Sequence, residues 1–163
     1  MEPGSPVPPG DALRWMQVAY DEALAAREEG EVPVGAVVVA GGRIIGRGHN
    51  RIEALQDPTA HAEMLAVTAA ANTLGTWRLE GAVMYVTLEP CVMCSGAAFL
   101  ARIARLVYAT PDPKRGALGS VIDVSANEAV NHHTEVESGP MATECSLLLS
   151  AFFEELRRRA KAE

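Results

Sequence analysis

Two short segments carry side chains whose types and spacing can do chemistry: His61-Ala62-Glu63 and Pro90-Cys91-Val92-Met93-Cys94. Together they offer an imidazole, two thiols and a neighbouring carboxylate, with no evident fourth protein ligand. Structural zinc is usually closed by four protein groups, whereas catalytic zinc is held by three and keeps one position for water. A glutamate two residues from the histidine is then the natural proton carrier for that water. The pattern points to hydrolysis rather than to a metal staple. Zinc is the favoured ion, one per subunit, because it suits mixed imidazole and thiolate donors. A closed site would need Cys145, His49, His132 or His133. Cys145 falls in an apolar helical stripe and reads as a core cysteine, while His132 and His133 read as a solvated loop. Taken alone, Cys-x-x-Cys also fits a redox pair or half of a structural site.

The elements that must position these groups follow from periodicity and punctuation. A first helix is expected over residues 11–29, with Leu13, Met16, Tyr20, Ala23 and Leu24 on its apolar face and Gly30 as its stop. Two strands, 34–40 and 43–49, flank Gly41-Gly42, a tight-hairpin signal. Residues 50–56 read as an irregular loop. Asp57-Pro58-Thr59 opens a helix to 74, since proline suits a first turn behind a polar cap. A strand at 82–88, a helix from Glu89-Pro90 to 101 and a strand at 106–109 follow. Residues 112–120 read as a surface loop, with a helical turn near 121–128, a strand near 134–137 and a last helix over 142–160. Cys145, Leu148, Leu149, Phe152, Phe153 and Leu156 form one stripe on that helix, and at least one of the two phenylalanines is expected in the core. The order predicts a three-layer α/β domain over residues 11–163 behind a disordered Pro/Gly lead-in, residues 1–10.

Spacing also constrains the site. On a helix side, His61 and Glu63 would point about 200° apart. They converge only beyond a helix end, so two helix N-termini must frame the metal, where their dipoles favour thiolates.

Composition narrows the setting. No apolar run is long enough to span a bilayer. The first ten residues lack the basic and apolar regions of a signal peptide. Three cysteines make no disulfide framework, and a reducing cytoplasm is expected. The formal charge of -7 argues mildly against nucleic acid unless a local patch overrides it. Arg43, Arg47, Arg51, Lys114 and Arg115 are candidates for one patch, and the tail Arg157-Arg158-Arg159-Ala160-Lys161 for another.

In Asp57-Pro58-Thr59-Ala60-His61-Ala62-Glu63 and in Thr87-Leu88-Glu89-Pro90-Cys91-Val92-Met93-Cys94-Ser95-Gly96-Ala97, the chain resembles the bacterial tRNA-specific adenosine deaminases. Val32-Pro33-Val34-Gly35-Ala36, Gly116-Ala117-Leu118-Gly119-Ser120, Asn131-His132, Glu144-Cys145 and Ser150-Ala151-Phe152-Phe153 extend the likeness over residues 12–159. The resemblance implies the cytidine-deaminase-like fold, a five-stranded mixed sheet between helices, and a homodimer. It implies conversion of adenosine to inosine at the wobble position of a tRNA anticodon stem-loop, the usual substrate being the arginine tRNA with an ACG anticodon. It makes His61, Cys91 and Cys94 the zinc ligands and Glu63 the proton shuttle. Asn50 matches a position that hydrogen-bonds the target base, although read alone it is a turn-capping asparagine. Asp112 and Lys114 match a loop lying against the anticodon, and Asn131 and Phe153 match further substrate-side positions.

The chain departs from the family at Glu154-Glu155-Leu156, where basic residues are more usual after the paired phenylalanines, and at Gly139-Pro140-Met141. Two other readings compete. One is a deaminase of a free base or nucleoside, guanine or cytosine, which the acidic charge favours. The other is a zinc-stabilised RNA-binding scaffold without activity.

Overall fold

The structure, a computed structural model, describes residues 9–163, with side chains from residue 11 onward. The elements in chain order are α1 (Pro9–Glu28), β1 (Gly35–Ala40), β2 (Arg43–His49), α2 (Ile52–Leu55), α3 (Ala62–Leu74), β3 (Val83–Leu88), α4 (Val92–Leu100), β4 (Arg105–Thr110), a 3-10 turn (Val124–Ala126), β5 (Glu135–Ser138) and α5 (Ala142–Ala162). The strands form one mixed sheet in the order β2-β1-β3-β4-β5. β1 is antiparallel to β2 and β3, while β3, β4 and β5 run parallel. The three-layer α/β arrangement expected from the order of elements is the one observed.

Strand alternation builds the two cores. Ala36, Val38, Met84, Val86 and Leu106 face α3 and α4, packing on Ala62, Ala66, Ala70, Ala98 and Phe99. Val37, Val39, Tyr85, Val107 and Ala109 face Trp15, Met16 and Ala19 of α1 and Cys145 of α5. Side chains two apart share a strand face, so each strand serves both layers. α3 approaches β2 so closely that a Cβ on Gly48 would stand 2.6 Å from the Ala62 carbonyl oxygen. Only glycine admits that contact, which seats the start of α3 against the end of β2. At the other end of β2, Gly41 and Gly42 both take positive φ, 57° and 71°, as a two-residue hairpin demands.

Several expectations need correction. The helix expected to open at Asp57 opens at Ala62. Asp57 Oδ1 accepts both the backbone N–H and the hydroxyl of Thr59, at 2.8 and 2.7 Å, so Asp-Pro-Thr makes a turn. The fixed φ of proline serves a turn as well as a first helical position, and the cue was ambiguous for that reason. The helix expected from Glu89 likewise starts at Val92, with Pro90 outside it. Residues 50–56 are not all irregular, since α2 lies within them. On α1 the buried face is Trp15, Met16, Ala19, Ala23 and Ala26, and Leu13 is exposed. Small alanines lie inward because α1 crosses β1 at Gly35, where an added Cβ would collide with the Ala19 carbonyl. On α5 only Cys145 and Leu148 are buried, and neither Phe152 nor Phe153 joins the core, because the helix runs on past the sheet. Of the lead-in expected over residues 1–10, positions 1–8 lie outside the described residues, and α1 already includes Pro9.

Candidate active site

The site lies at one end of the sheet, where β2 and β3 both finish. β3 runs antiparallel to β1 and β1 antiparallel to β2, so the ends of β2 and β3 lie at the same edge. From that edge α3 and α4 set off. His61 is the N-cap of α3 and Cys91 the N-cap of α4, both in extended backbone, with φ of -75° and -73°. Neither side chain caps its own helix. Each is therefore free to point beyond the helix end, and Glu63 and Cys94 follow within the first turn. The conflict between His61 and Glu63 on one helix side does not arise, because His61 stands just outside the helix.

His61 Nδ1 lies 3.7 Å from Cys91 Sγ and 3.5 Å from Cys94 Sγ. All three donor atoms fall within 4.8 Å of one another. Tetrahedral zinc with Zn–N near 2.05 Å and Zn–S near 2.3 Å requires N···S separations of about 3.6 Å. The donor set and its spacing fit zinc, and His61, Cys91 and Cys94 are the residues that could hold one ion. Cys145, buried with Trp15 and Met16 on the far side of the sheet, takes no part.

The electrostatics show how tightly these groups are coupled. The hydrogen bond from Cys94, with a further one from His61, holds the Cys91 thiol down at about 3. The same bond, together with burial, pushes the Cys94 thiol up. His61 is raised chiefly by its hydrogen bond to Cys91. Glu63 is buried, and desolvation raises its carboxyl. Its Oε2 accepts from Cys94 Sγ at 3.5 Å. Desolvation disfavours the carboxylate, so a buried carboxyl takes up a proton more readily than an exposed one, which suits a group that must accept a proton and pass it on.

Asn50 follows β2 directly and is buried. Its Oδ1 accepts the Ala62 N–H at 2.9 Å, which satisfies one open donor of the α3 N-terminus. Because Oδ1 is occupied, the side-chain amide is oriented with Nδ2 left to donate. Asp112 and Lys114 lie on the connection after β4. Asp112 Oδ1 accepts the N–H groups of Lys114 and Arg115 at 2.9 and 3.2 Å, so this carboxylate shapes the loop itself. The loop reaches the metal site through Ala117 N–H, which donates to the Pro90 carbonyl at 3.0 Å. Asn131 and Phe153 are exposed, and neither hydrogen-bonds to the zinc ligands among the described residues. His132, expected in a solvated loop, is half-buried with Nε2 2.8 Å from the Ile103 carbonyl oxygen, whereas His133 is exposed.

The expected basic patch is only partly assembled. Arg47 pairs with Glu22 at 3.8 Å, Arg51 pairs with Glu29 at 3.3 Å, and Arg43 sits at the opposite end of the sheet. Lys114 and Arg115 remain at the site, and Arg115 is near enough to lower the proton affinity of His61. In the tail, Arg158 and Arg159 both pair with Glu155, at 3.1 and 2.8 Å.

Two buried carboxylates escaped the sequence reading. Glu31 accepts the N–H groups of Glu53 and Ala54 and so caps α2. Glu89 accepts N–H groups from residues 112–120. Their partners lie more than twenty residues away in sequence, so no local pattern announces them. The one available hint is an acidic residue next to a run of apolar strand positions.

Fold and donor set together define a zinc-dependent deaminase, and comparison with known proteins narrows the class. Residues 10–110 match the cytidine and deoxycytidylate deaminase zinc-binding region. The tRNA-specific adenosine deaminase of Bacillus subtilis (strain 168) is 51% identical over 148 residues, spanning 91% of this chain and 92% of that protein. The tRNA-specific adenosine deaminase of Aquifex aeolicus (strain VF5) is 48% identical over 143 residues, spanning 88% and 94%. A solved structure from studies of A-to-I editing by tRNA:A34 deaminases superposes with a TM-score of 0.81 at 44% identity, covering 84% of this chain and 99% of that one. The guanine deaminase of Bacillus subtilis superposes with a TM-score of 0.60 at 28% identity, covering 90% and 93%. The chain therefore belongs to the cytidine and deoxycytidylate deaminase family, within its tRNA-specific adenosine deaminases.

Proposed function

We propose that the protein converts adenosine to inosine at the wobble position of a tRNA anticodon, with the arginine tRNA bearing ACG as its substrate. The observation that carries this reading is the convergence of His61, Cys91, Cys94 and the buried Glu63 in a chain about half identical to tRNA-specific adenosine deaminases. An anticodon loop presents unpaired bases, so extracting one costs less than from a duplex.

The residues divide the work by position. His61, Cys91 and Cys94 would hold the zinc, which would supply an activated water with its pKa lowered to roughly 7. Glu63 takes the proton of the attacking water and delivers it to the ring nitrogen as oxygen adds to C6. A second proton passes through Glu63 to the departing amino group, which leaves as ammonia. Adenosine and water thus become inosine and ammonia, and the carboxylate returns to its starting state. Asn50, held through Oδ1 by the start of α3, donates Nδ2 to a ring acceptor of the base. Lys114 meets the flanking phosphates, while Asp112 fixes the turn that presents it. Asn131 and Phe153 complete the substrate side. The enzyme acts as a homodimer in the cytoplasm, where tRNA is used. Val92 and Leu100 on α4, 59% and 75% exposed, offer apolar surface to a second copy.

The test is incubation of zinc-loaded protein with the arginine tRNA transcript, followed by sequencing for inosine at the wobble position. Conversion is expected, and its absence sinks the reading. The likeness to guanine deaminase and the charge of -7 favour a second reading, a free-base deaminase. Ammonia release from guanine, insensitive to salt, would support that alternative, since RNA turnover must weaken with ionic strength.

A further inference from the structure

We propose that Glu89 is a positioning residue for the substrate: its buried carboxylate fixes residues 112–120 so that Lys114 and Arg115 are presented to the RNA beside the metal. The role rests on the RNA reading above and adds to it a residue that touches neither zinc nor base.

Glu89 follows β3 directly and is 2% exposed. Its backbone N–H donates to the Thr110 carbonyl at 2.9 Å, which aligns it with the end of β4. Its Oε2 accepts the N–H groups of Leu118 at 3.1 Å and Ser120 at 3.2 Å. Its Oε1 accepts the Asp112 N–H at 3.4 Å and the Ser120 hydroxyl. No cation pairs with it among the described residues. The negative charge is met by peptide dipoles wrapped around it, the arrangement by which backbone nests hold anions. A buried carboxylate is costly unless its oxygens are satisfied. Among the described residues the loop is the only source of that satisfaction, so carboxylate and loop conformation stabilise each other.

The wrapping is tight. A Cβ on Gly116 would run into the Glu89 carboxylate and stand 2.6 Å from the Asp112 carbonyl oxygen. Ala117 N–H grips the Pro90 carbonyl, one residue before Cys91. The loop is therefore registered against the same stretch of backbone that delivers two zinc ligands. Lys114 and Arg115 are exposed and lie between the Asp112 and Leu118 attachment points. Among the described residues neither makes an ion pair, in contrast to Arg47, Arg51, Arg158 and Arg159. In an acidic protein these two cations gain their value from where the loop holds them.

Glu89→Gln keeps the shape but gives up the charge and one acceptor, and Ser120→Ala removes one donor with little risk to folding. The experiment measures kcat and KM on an anticodon stem-loop, zinc per chain, and amide hydrogen exchange at Leu118 and Ser120. Glu89→Gln is expected to retain one zinc, keep kcat within about threefold, and raise KM about tenfold, the scale of a lost charge-assisted hydrogen bond. Exchange at both amides should quicken while β3 stays protected. Ser120→Ala should shift KM in the same direction by a smaller factor, and it decides the matter if Glu89→Gln does not fold. In a Lys114→Ala, Arg115→Ala background the KM effect of Glu89→Gln should shrink, because the two changes act through one loop. An unchanged KM, or a loss of zinc and kcat at constant KM, overturns the role. If wild-type protein does not convert the stem-loop at all, the substrate reading fails instead.

Discussion

The metal end of this site and its rim are built in opposite ways. His61, Cys91, Cys94 and Glu63 sit at or within one turn of two helix starts, and their places are set by backbone. Lys114, Arg115, Asn131 and Phe153, which form the rim on the proposed function, are exposed side chains on a loop, a bend and the last helix. Chemistry at a carbon atom requires reacting groups held to within a fraction of an ångström. Binding a phosphate chain tolerates more freedom, since each contact adds separately to the affinity. On the proposed function, buried, coupled groups stand where bonds change and solvated ones where the substrate is chosen. Asn50 and Glu89 stand at the boundary, both buried, Asn50 accepting backbone N–H with its one oxygen and Glu89 with both.

That contrast can be broken from the metal end outward. Removing a ligand should have the largest effect: Cys94→Ala is expected to abolish inosine formation, lower bound zinc well below one per chain and reduce the melting temperature, because ligand loss uncouples metal binding from folding. Metal analysis with thermal melting checks it, and full zinc occupancy would contradict the assigned donor set. Next is Glu63→Gln, which should lower kcat by about 10³-fold, the scale of a lost acid–base group, while fold and zinc persist. Retained turnover would dismiss the proton-carrying role, and unfolding would make the site structural.

Asn50→Ala should then cost less in rate but show in two readouts. Turnover should fall about tenfold or more through the lost base contact, and stability by about 1 kcal/mol through the uncapped Ala62 N–H. A stability loss with normal turnover would leave Asn50 as a cap alone. The smallest change belongs to the rim. Arg115→Ala should raise KM a few fold with kcat unchanged and reduce the slope of log affinity against log salt by about 0.7, as for one released single-strand contact. A steep fall in kcat there would erase the division between metal end and rim.

Much of this plan was legible in the amino-acid order, for reasons tied to range. His61, Glu63, Cys91 and Cys94 are close in sequence within each half, and metal chemistry restricts their types, so spacing alone called for two framing helix ends. The hairpin at Gly41-Gly42 was legible because positive φ leaves few alternatives. Helix starts were misread by a few residues because Pro58 and Pro90 suit a turn or an extended residue as well as a first turn. The bulk of Leu13 points to the wrong face of α1, because the close crossing at Gly35 selects alanine. The partners of Glu31 and Glu89 were beyond reach, since a carboxylate that grips distant backbone leaves no mark on its neighbours in sequence. The fates of Arg47 and Arg51 also depended on Glu22 and Glu29, which face them only after α1 has packed.

The register of the sheet carries one practical consequence. β1 and β3 run in opposite directions, with Val39 beside Val83 and Ala36 beside Val86, so the Gly41-Gly42 turn emerges at the edge farthest from the zinc ligands. Peptide spliced into that turn would leave the chain on the side away from His61, Cys91 and Cys94. It is a natural attachment point for a tether, a reporter or a targeting module that must not obstruct catalysis.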